Sequence, residues 1–418
     1  MSTAVVPLVK HANRPSGPAA YARAVRKYNL ETAVFIGHHG AVYKRNELAK
    51  DAHKKKHHGH YHLRDLITAV RDRPSEDSVT VVNTKDIAQD SEYVVEVIIG
   101  EPGVKLTLQF DTGSSDLWVW STEISHQLLE KAGRALYDPS HSKTSKRVEG
   151  SMFLIGYGDG SNASGDVYTD TLRIGNLVIP DQAIEAAKKV SSSFMNENDS
   201  GQVYLFIASI PDILLGLGFS SINTVKPTPV QTPVGNLIDR HIAPGIFSVA
   251  LDKGDDRGFY TFGGIDAAKA GVSESSRGFW LFDSATAVIN GATVSLQGNQ
   301  AILDTGTTLA LVSEELTQEI YKHVHGATLS QEYGGWIYPK GAKLPEVKLA
   351  VGEHLFTLNP ADFTMGDIDD ETEFGGIQSR GNNPFDILGD VFLKSIYAVF
   401  DQQNNRVGVA QRTSNVTH

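Results

Sequence analysis

The sequence predicts an all-β protein of two similar lobes around a central cleft, preceded by a basic segment. Three observations predict this: strand-like alternation from residue 91 onward, an internal repeat, and a change in charge near residue 75. Residues 93–100 read YVVEVIIG and residues 104–110 read VKLTLQF, and Gly, Asn and Asp punctuate such runs about every ten residues. Helical periodicity is scarce. Its best case is residues 313–325, SEELTQEIYKHVH, with Ser313 as N-cap and Glu315 in the first turn.

The repeat is FDTGSSDLW at residues 110–118, echoed by LDTGTTLAL at residues 303–311. Each copy is followed by an apolar pair and a glycine: Leu214, Leu215 and Gly216, then Ile387, Leu388 and Gly389. A duplicated unit forming two β lobes explains both echoes.

Charge divides the chain differently. Residues 1–74 hold 14 Lys+Arg and 5 Asp+Glu, a net of +9; the remainder holds 24 and 44, a net of −20. A basic leader on an acidic body suggests docking of one on the other; a free basic tail meeting nucleic acid or a membrane is the alternative. Within the leader, residues 17–31 read as a short amphipathic helix, with Ala19, Ala22 and Val25 on one face and Arg23, Arg26 and Lys27 on the other. The run HKKKHHGHYH, residues 53–62, reads most simply as a solvated basic stretch; a zinc site on its histidines is the alternative, with no Cys, Asp or Glu within the run to add to it. The chain has no cysteine, which excludes disulfides, thiol nucleophiles and Cys-ligated metals. Residues 1–10 lack the continuous apolar core of a signal peptide, and residues 203–219, the longest apolar stretch, are interrupted by Pro211 and Asp212.

A lone Asp-Thr-Gly is a surface turn. Two copies, at Asp111 and Asp304, each after an apolar run and before Ser-Ser or Thr-Thr, form a constellation for acid–base chemistry. Hydrolysis of a peptide without metal or covalent nucleophile needs one group to take a proton from water and another to give one. Gly113 and Gly306 allow close backbone approach, and their N–H groups can steady the carboxylates. Ser114 and Thr307 supply hydroxyl donors, and Thr112 and Thr305 complete the two loops.

Residues 91–412 resemble the fungal, penicillopepsin-like branch of the pepsin family. The matching stretches are FDTGSSDLWVWSTE (110–123), YGDGSNASGDVYTDT (157–171), AAKKVSSSF (186–194), LGFSSINTVKP (217–227), ILDTGTTLALV (302–312), FGGIQS (374–379) and ILGDVFLKSIYAVFD (387–401). The resemblance implies an aspartic endopeptidase with an acid optimum and a preference for apolar or aromatic residues around the cut, the alternative being a catalytically weak or inactive pepsin-like peptide-binding protein. Asp111 and Asp304 would share one proton. Tyr157, Gly158 and Asp159 would form the tip of a flap over the substrate, Trp118 would hydrogen-bond Tyr157, and Asp159 would pair with a substrate Lys. Polypeptides are the implied partners of a monomeric, secreted enzyme, with no cofactor, metal, nucleic acid or membrane. Residues 1–76 would be an inhibitory pro-segment, 77–255 the first lobe and 256–418 the second. A pro-segment Lys would sit between the carboxylates, with Lys27 and Lys54 to Lys56 as candidates.

The sequence also departs from that pattern. Lys340 and Glu373 stand where the family has a second-lobe disulfide, so an ion pair is expected there and a less stable second lobe. Residues 199–212 interrupt a normally short link, and Ile213 stands where the family has Gly, a poor fit to a tight turn. Residues 264–279 are short for the family, so a trimmed hairpin is expected.

Overall fold

A computed structural model describes residues 17–28, 80–87, 92–124, 135–156, 162–191, 213–252, 258–264, 271–274 and 278–412. One helix precedes the strands, α1 (Gly17–Tyr28). The first strands are β1 (Thr80–Asn83), β2 (Lys85–Ile87), β3 (Glu92–Ile99), β4 (Val104–Asp111), β5 (Leu117–Trp120), β6 (Lys146–Gly156), β7 (Asn162–Ile174), β8 (Leu177–Val190) and β9 (Ile213–Gly216). Helix α2 (Pro233–Asp239) leads to β10 (Ile246–Ala250), β11 (Phe259–Phe262) and β12 (Gly271–Glu274). Then come β13 (Leu281–Asp283), β14 (Thr286–Ile289), β15 (Ala292–Ser295), β16 (Gln300–Leu303), β17 (Ala310–Val312) and helix α3 (Glu314–Tyr321). They are followed by β18 (Thr328–Ser330), β19 (Gly335–Pro339), β20 (Val347–Val351), β21 (His354–Thr357), β22 (Thr364–Asp367), β23 (Thr372–Gly375), β24 (Ile377–Ser379) and β25 (Asp386–Leu388). Helix α4 (Asp390–Leu393), β26 (Ile396–Asp401) and β27 (Arg406–Gln411) close the fold.

The repeat in sequence is a repeat in topology. In the eight-stranded sheet, β3-β4-β9-β5-β8 lie side by side; in a five-stranded sheet the order is β13-β16-β25-β17-β24. Strand β9 runs parallel to β4 and antiparallel to β5, as β25 runs parallel to β16 and antiparallel to β17. The two apolar-apolar-Gly elements are therefore the strands that pass behind each Asp-Thr-Gly loop. Each is flanked on both sides and has no free edge.

A six-stranded sheet, β1-β11-β10-β26-β27-β12, draws on both halves of the chain. The boundary expected at 255/256 lies between its neighbouring strands β10 and β11. Its aromatic face makes the floor of the site: Phe247 stacks on Phe400 with centroids 4.7 Å apart, and Tyr260 meets Phe110 edge-on at 5.1 Å. Burial of each such ring contributes about 2–3 kcal/mol. Phe110 precedes Asp111, so this packing fixes one loop directly.

Helix α3 forms where expected, and Ser313 Oγ accepts from Leu316 N as the N-cap. Helix α1 also forms, and Val25 is buried as expected. Ala20, Tyr21, Ala24 and Val25 are buried, and Lys27 points inward rather than to solvent. Positions 17, 20, 21, 24, 25 and 28 share a helical stripe, and the small residues on it let the helix lie close to β22 and β23. A Cβ at Gly17 would overlap the Phe374 ring, and Tyr21 OH donates to Ser379 O at 2.7 Å.

The expected Lys340–Glu373 pair is not formed. Lys340 Nζ pairs with Asp367 Oδ2 at 3.2 Å. Strand register is the reason: Glu373 lies opposite Tyr338, and Lys340 N donates to Glu371 O. Lys340 and Glu373 are thus diagonal neighbours, a spacing of about 7–8 Å that is too wide for an unstrained disulfide. No helix among the described residues is long and apolar enough to cross a membrane. The His-rich run at 53–62, residues 199–212, and 265–270 and 275–277 of the short stretch lie outside the described residues.

Candidate active site

Asp111 ends β4 and Asp304 follows β16, and both are fully buried. The two loops bind each other through their threonines. Thr112 Oγ1 donates to Leu303 O at 2.8 Å, and Thr305 Oγ1 donates to Phe110 O at 2.6 Å. Each hydroxyl also accepts the other loop's backbone N–H: Thr112 N to Thr305 Oγ1 at 3.1 Å, Thr305 N to Thr112 Oγ1 at 3.0 Å. Four reciprocal bonds in a buried setting fix the spacing of the two carboxyls.

Each carboxylate is held in the same way. Gly113 N donates to Asp111 Oδ1 at 2.8 Å and Ser114 Oγ to Asp111 Oδ2 at 2.7 Å. Gly306 N donates to Asp304 Oδ1 at 2.9 Å and Thr307 Oγ1 to Asp304 Oδ2 at 2.5 Å. The glycines are needed for space as well. A Cβ on Gly113 would lie 2.6 Å from Asp304 Oδ1, and one on Gly306 would lie 2.3 Å from Asp111 Oδ1. Each loop's glycine thus leaves room for the opposite carboxylate.

Helix α1 ends on this pair. Lys27 Nζ lies 2.8 Å from Asp111 Oδ1, 2.9 Å from Asp304 Oδ2 and 3.1 Å from Asp304 Oδ1. Tyr28 OH donates to Asp304 Oδ2. The two acids then diverge. Burial pushes Asp111 up, and the neighbouring Asp304 adds to it against the pull of Lys27, leaving it at about 6. Burial also pushes Asp304 up, but Lys27, Asp111, Thr307 and Tyr28 together reverse this and leave it at about 2. A buried carboxyl pair that holds one proton between its members is equipped both to accept and to donate one.

All six expected loop residues are therefore in contact with the carboxylate pair or with each other. Trp118, on β5, is fully buried with its ring 6.3 Å from that of Phe153. Tyr157, Gly158 and Asp159, expected at the flap tip, lie outside the described residues, as do Lys54 to Lys56; β6 and β7 pair as a hairpin up to Gly156 and Asn162. The sequence reading missed Tyr28. Its signal was adjacency to Lys27: consecutive residues at the end of one helix reach the same small site. It also missed Glu185 and Asn223, which hold the segment after Ser114.

The chain matches the model of the family described as eukaryotic aspartyl protease over residues 92–412. It is 38% identical over 335 residues to aspergillopepsin-1 of Aspergillus pseudoglaucus, covering 79% of this chain and 81% of that one. It is 41% identical over 334 residues to penicillopepsin-1 of Penicillium rubens, covering 77% and 78%. Penicillopepsin-1 of Penicillium janthinellum is 38% identical over 340 residues, covering 79% of this chain and 98% of that protein. With its duplicated β architecture, this chain belongs to the eukaryotic aspartyl protease family and is an aspartic-type endopeptidase.

Proposed function

We propose that Asp111 and Asp304 hydrolyse peptide bonds together by activating a water held between them. The observation that carries this is the seat of the Lys27 ammonium, within 2.8–3.1 Å of oxygens on both carboxylates. One small hydrogen-bonding group fits there in contact with both. A water in that place gives a proton to one carboxylate as its oxygen attacks the peptide carbonyl carbon. The proton on the other carboxyl passes to the carbonyl oxygen. The tetrahedral species then collapses: one of its hydroxyl protons returns to the ionised carboxylate, its C–N bond breaks, and the leaving nitrogen takes the proton of the other carboxyl, so the pair again holds one proton. The two acids titrate as a unit, so activity falls once the pair has lost its shared proton, which gives an acid optimum.

Residues 1–76 are the inhibitory pro-segment in this reading, and residues 77–255 and 256–418 the two lobes. Lys27 fills the water's place and α1 covers the site, so hydrolysis requires this segment to leave. Tyr157, Gly158 and Asp159 close over the substrate from the end of the β6–β7 hairpin, and Trp118 backs that hairpin. Polypeptides with apolar or aromatic residues about the cut are the substrates, Lys being accepted through Asp159. The enzyme acts as a monomer, without nucleic acid or membrane.

The test is casein hydrolysis by acid-treated full chain at pH 4, with and without pepstatin. Asp111→Asn and Asp304→Asn each lower turnover by at least about 10³-fold while the folded signal in circular dichroism is kept. Substantial turnover by either variant overturns the assignment.

A further inference from the structure

We infer that Asp116 and Glu185 share a single proton, and that this proton fastens the loop carrying Asp111, so that the support of that loop weakens as pH rises. Asp116 lies just past Ser114 and Ser115, and Glu185 lies on β8, paired with Trp118 of the neighbouring β5. Both are buried, 2% and 0% exposed. Asn223 Nδ2 donates to both, at 3.3 Å to Asp116 Oδ1 and 2.9 Å to Glu185 Oε1, so the two carboxyls meet at one amide. Two carboxyls so placed in a buried site do not both ionise, so one of them carries a proton.

The remaining contacts say which. Asp116 Oδ1 accepts from Thr224 N at 2.9 Å, from Thr224 Oγ1 at 2.7 Å and from Asn223 Nδ2 at 3.3 Å, as an ionised carboxylate does. Glu185 Oε1 accepts from Asn223 Nδ2 at 2.9 Å, while Oε2 is buried and accepts from no group. Glu185, with fewer donors on it than Asp116, is therefore the acid that carries the proton. Burial raises both groups; for Glu185 the Asp116 charge adds to this and holds it well above its ordinary value.

Among the described residues no cation contacts the pair. The groups acting on the two carboxyls are each other, Asn223, Thr224 and the Leu117 N–H. On the neighbouring β7, Val167 faces Glu185, and Asp166 is taken by Lys188 at 2.5 Å and by Arg147 at 2.6 Å. Strand β9, the other neighbour of β5, has no titratable side chain. Lys226 is exposed, and Asp111, in the same loop, is another acid.

The clamp acts on the loop's backbone. Asn223 Nδ2 also donates to Ser115 O at 3.0 Å, and Gly216 N to Asp116 O at 2.9 Å. The corresponding positions in the second half, by the 193-residue offset and by strand register, are Leu309 and Gln378. At these two positions the second loop has no titrating group. Gln378 shows that a buried amide is tolerated at this place: it accepts from Trp336 N and donates to Trp336 O and Gly375 O.

The sign follows from the raised folded value. Below the unfolded value of 4.5, Glu185 is protonated in both states and the clamp is whole. As pH rises above that, the unfolded chain ionises first and the folded chain loses stability relative to it, up to the folded pKa. One proton makes the folded-to-unfolded ratio fall about tenfold per pH unit across this window. Asp116 and Glu185 are positioning residues, acting on Asp111 through the loop.

The experiment compares full-chain wild type, Glu185→Gln and Asp116→Asn, unfolded in urea between pH 4 and 8 and followed by tryptophan fluorescence. Glu185→Gln keeps the negative charge on Asp116 and a donor between the two groups but lacks the Glu185 proton, whereas Asp116→Asn leaves Glu185 buried and still raised by burial, so part of its slope remains. Both variants are expected to fold at pH 4, and Glu185→Gln to lose a slope of about tenfold per pH unit relative to wild type. Equal slopes in all three proteins overturn the inference. So does failure of both variants to fold at pH 4, because a neutral amide would then not replace the protonated acid. The readout is folding, so it stands apart from whether Asp111 is catalytic.

Discussion

Replacing Lys27 by Met removes one charge and keeps nearly the whole side-chain stem, so it isolates what the ammonium does. Asp111 and Asp304 are fully buried, and the Lys27 side chain is 15% exposed. Removing one partner of such a buried pair costs about 3–5 kcal/mol, because the other charges stay without compensation. That lowers the ratio of docked to undocked α1 by roughly two to four powers of ten. The cost depends on pH. Asp111 is held at about 6 and Asp304 at about 2, so above pH 6 both acids are ionised and Lys27 is needed most. Below pH 6 a proton on Asp111 can stand in for part of its charge. The assay is the initial rate on an internally quenched apolar peptide at pH 6.5, without acid treatment, alongside gel analysis of chain length. Wild-type full chain should start slowly and accelerate as it shortens. Lys27→Met should start at least about 100-fold faster. Equal initial rates in the two full-length proteins would refute the idea that the Lys27 contact restrains activity.

Gly306→Ala would place a Cβ 2.3 Å from Asp111 Oδ1, so the carboxyl must move; kcat should fall by about 10²-fold or more with KM little changed, and an unaltered kcat in steady-state assays would contradict the close packing. Ile213 begins β9 at φ 120° with its side chain buried, so Ile213→Gly and Ile213→Ala lose the same packing but only Gly releases about 1–3 kcal/mol of backbone strain. Urea titration should rank Gly above Ala, the reverse of the usual order in a strand; Ala above Gly would mean the strain is absent.

Much of this fold was legible because its signals are local. The alternating runs at 93–100 and 104–110 became β3 and β4, Ser313 capped α3, and the strain expected at Ile213 is present. The carboxylate loops were legible because sequence repetition marks them. Less legible was anything set by register or by packing between distant segments. The α1 face was legible only in part: Val25 was weighed as apolar and is buried, but Tyr21 and Gly17 were not weighed and make the contact with Phe374. Lys340 missed Glu373 because a strand offset decides partners, and no composition rule contains the offset. Asp116 and Glu185 are 69 residues apart and meet only through the parallel pairing of β5 with β8.

The duplication is closest in what touches the two carboxyls and looser one step outward. Glycine N–H and hydroxyl donors match on Asp111 and Asp304, and the threonine bonds are reciprocal. Behind them the halves differ. The strand backing the first loop begins with strained Ile213, while its counterpart begins with Asp386, which accepts from Arg380 Nε at 2.6 Å and Asn299 Nδ2 at 2.7 Å. The first loop leans on two adjoining acids, the second on Leu309 and Gln378. The strain weakens the first half by about 1–3 kcal/mol and the acid pair by a pH-dependent amount; Asp386, raised by burial to about 6, takes stability from the second half only up to that pH, so the comparison at pH 7 and 4.5 reads the difference between the two. The missing disulfide pointed the other way, to a weaker second lobe. Hydrogen exchange decides between them. At pH 7 the amides of β4, β5 and β9 should exchange faster than those of β16, β17 and β25, with the gap narrowing at pH 4.5 after correction for intrinsic rates. Slower exchange in the first set at both pH values would mean that the loss of the disulfide outweighs the strain and the buried acids.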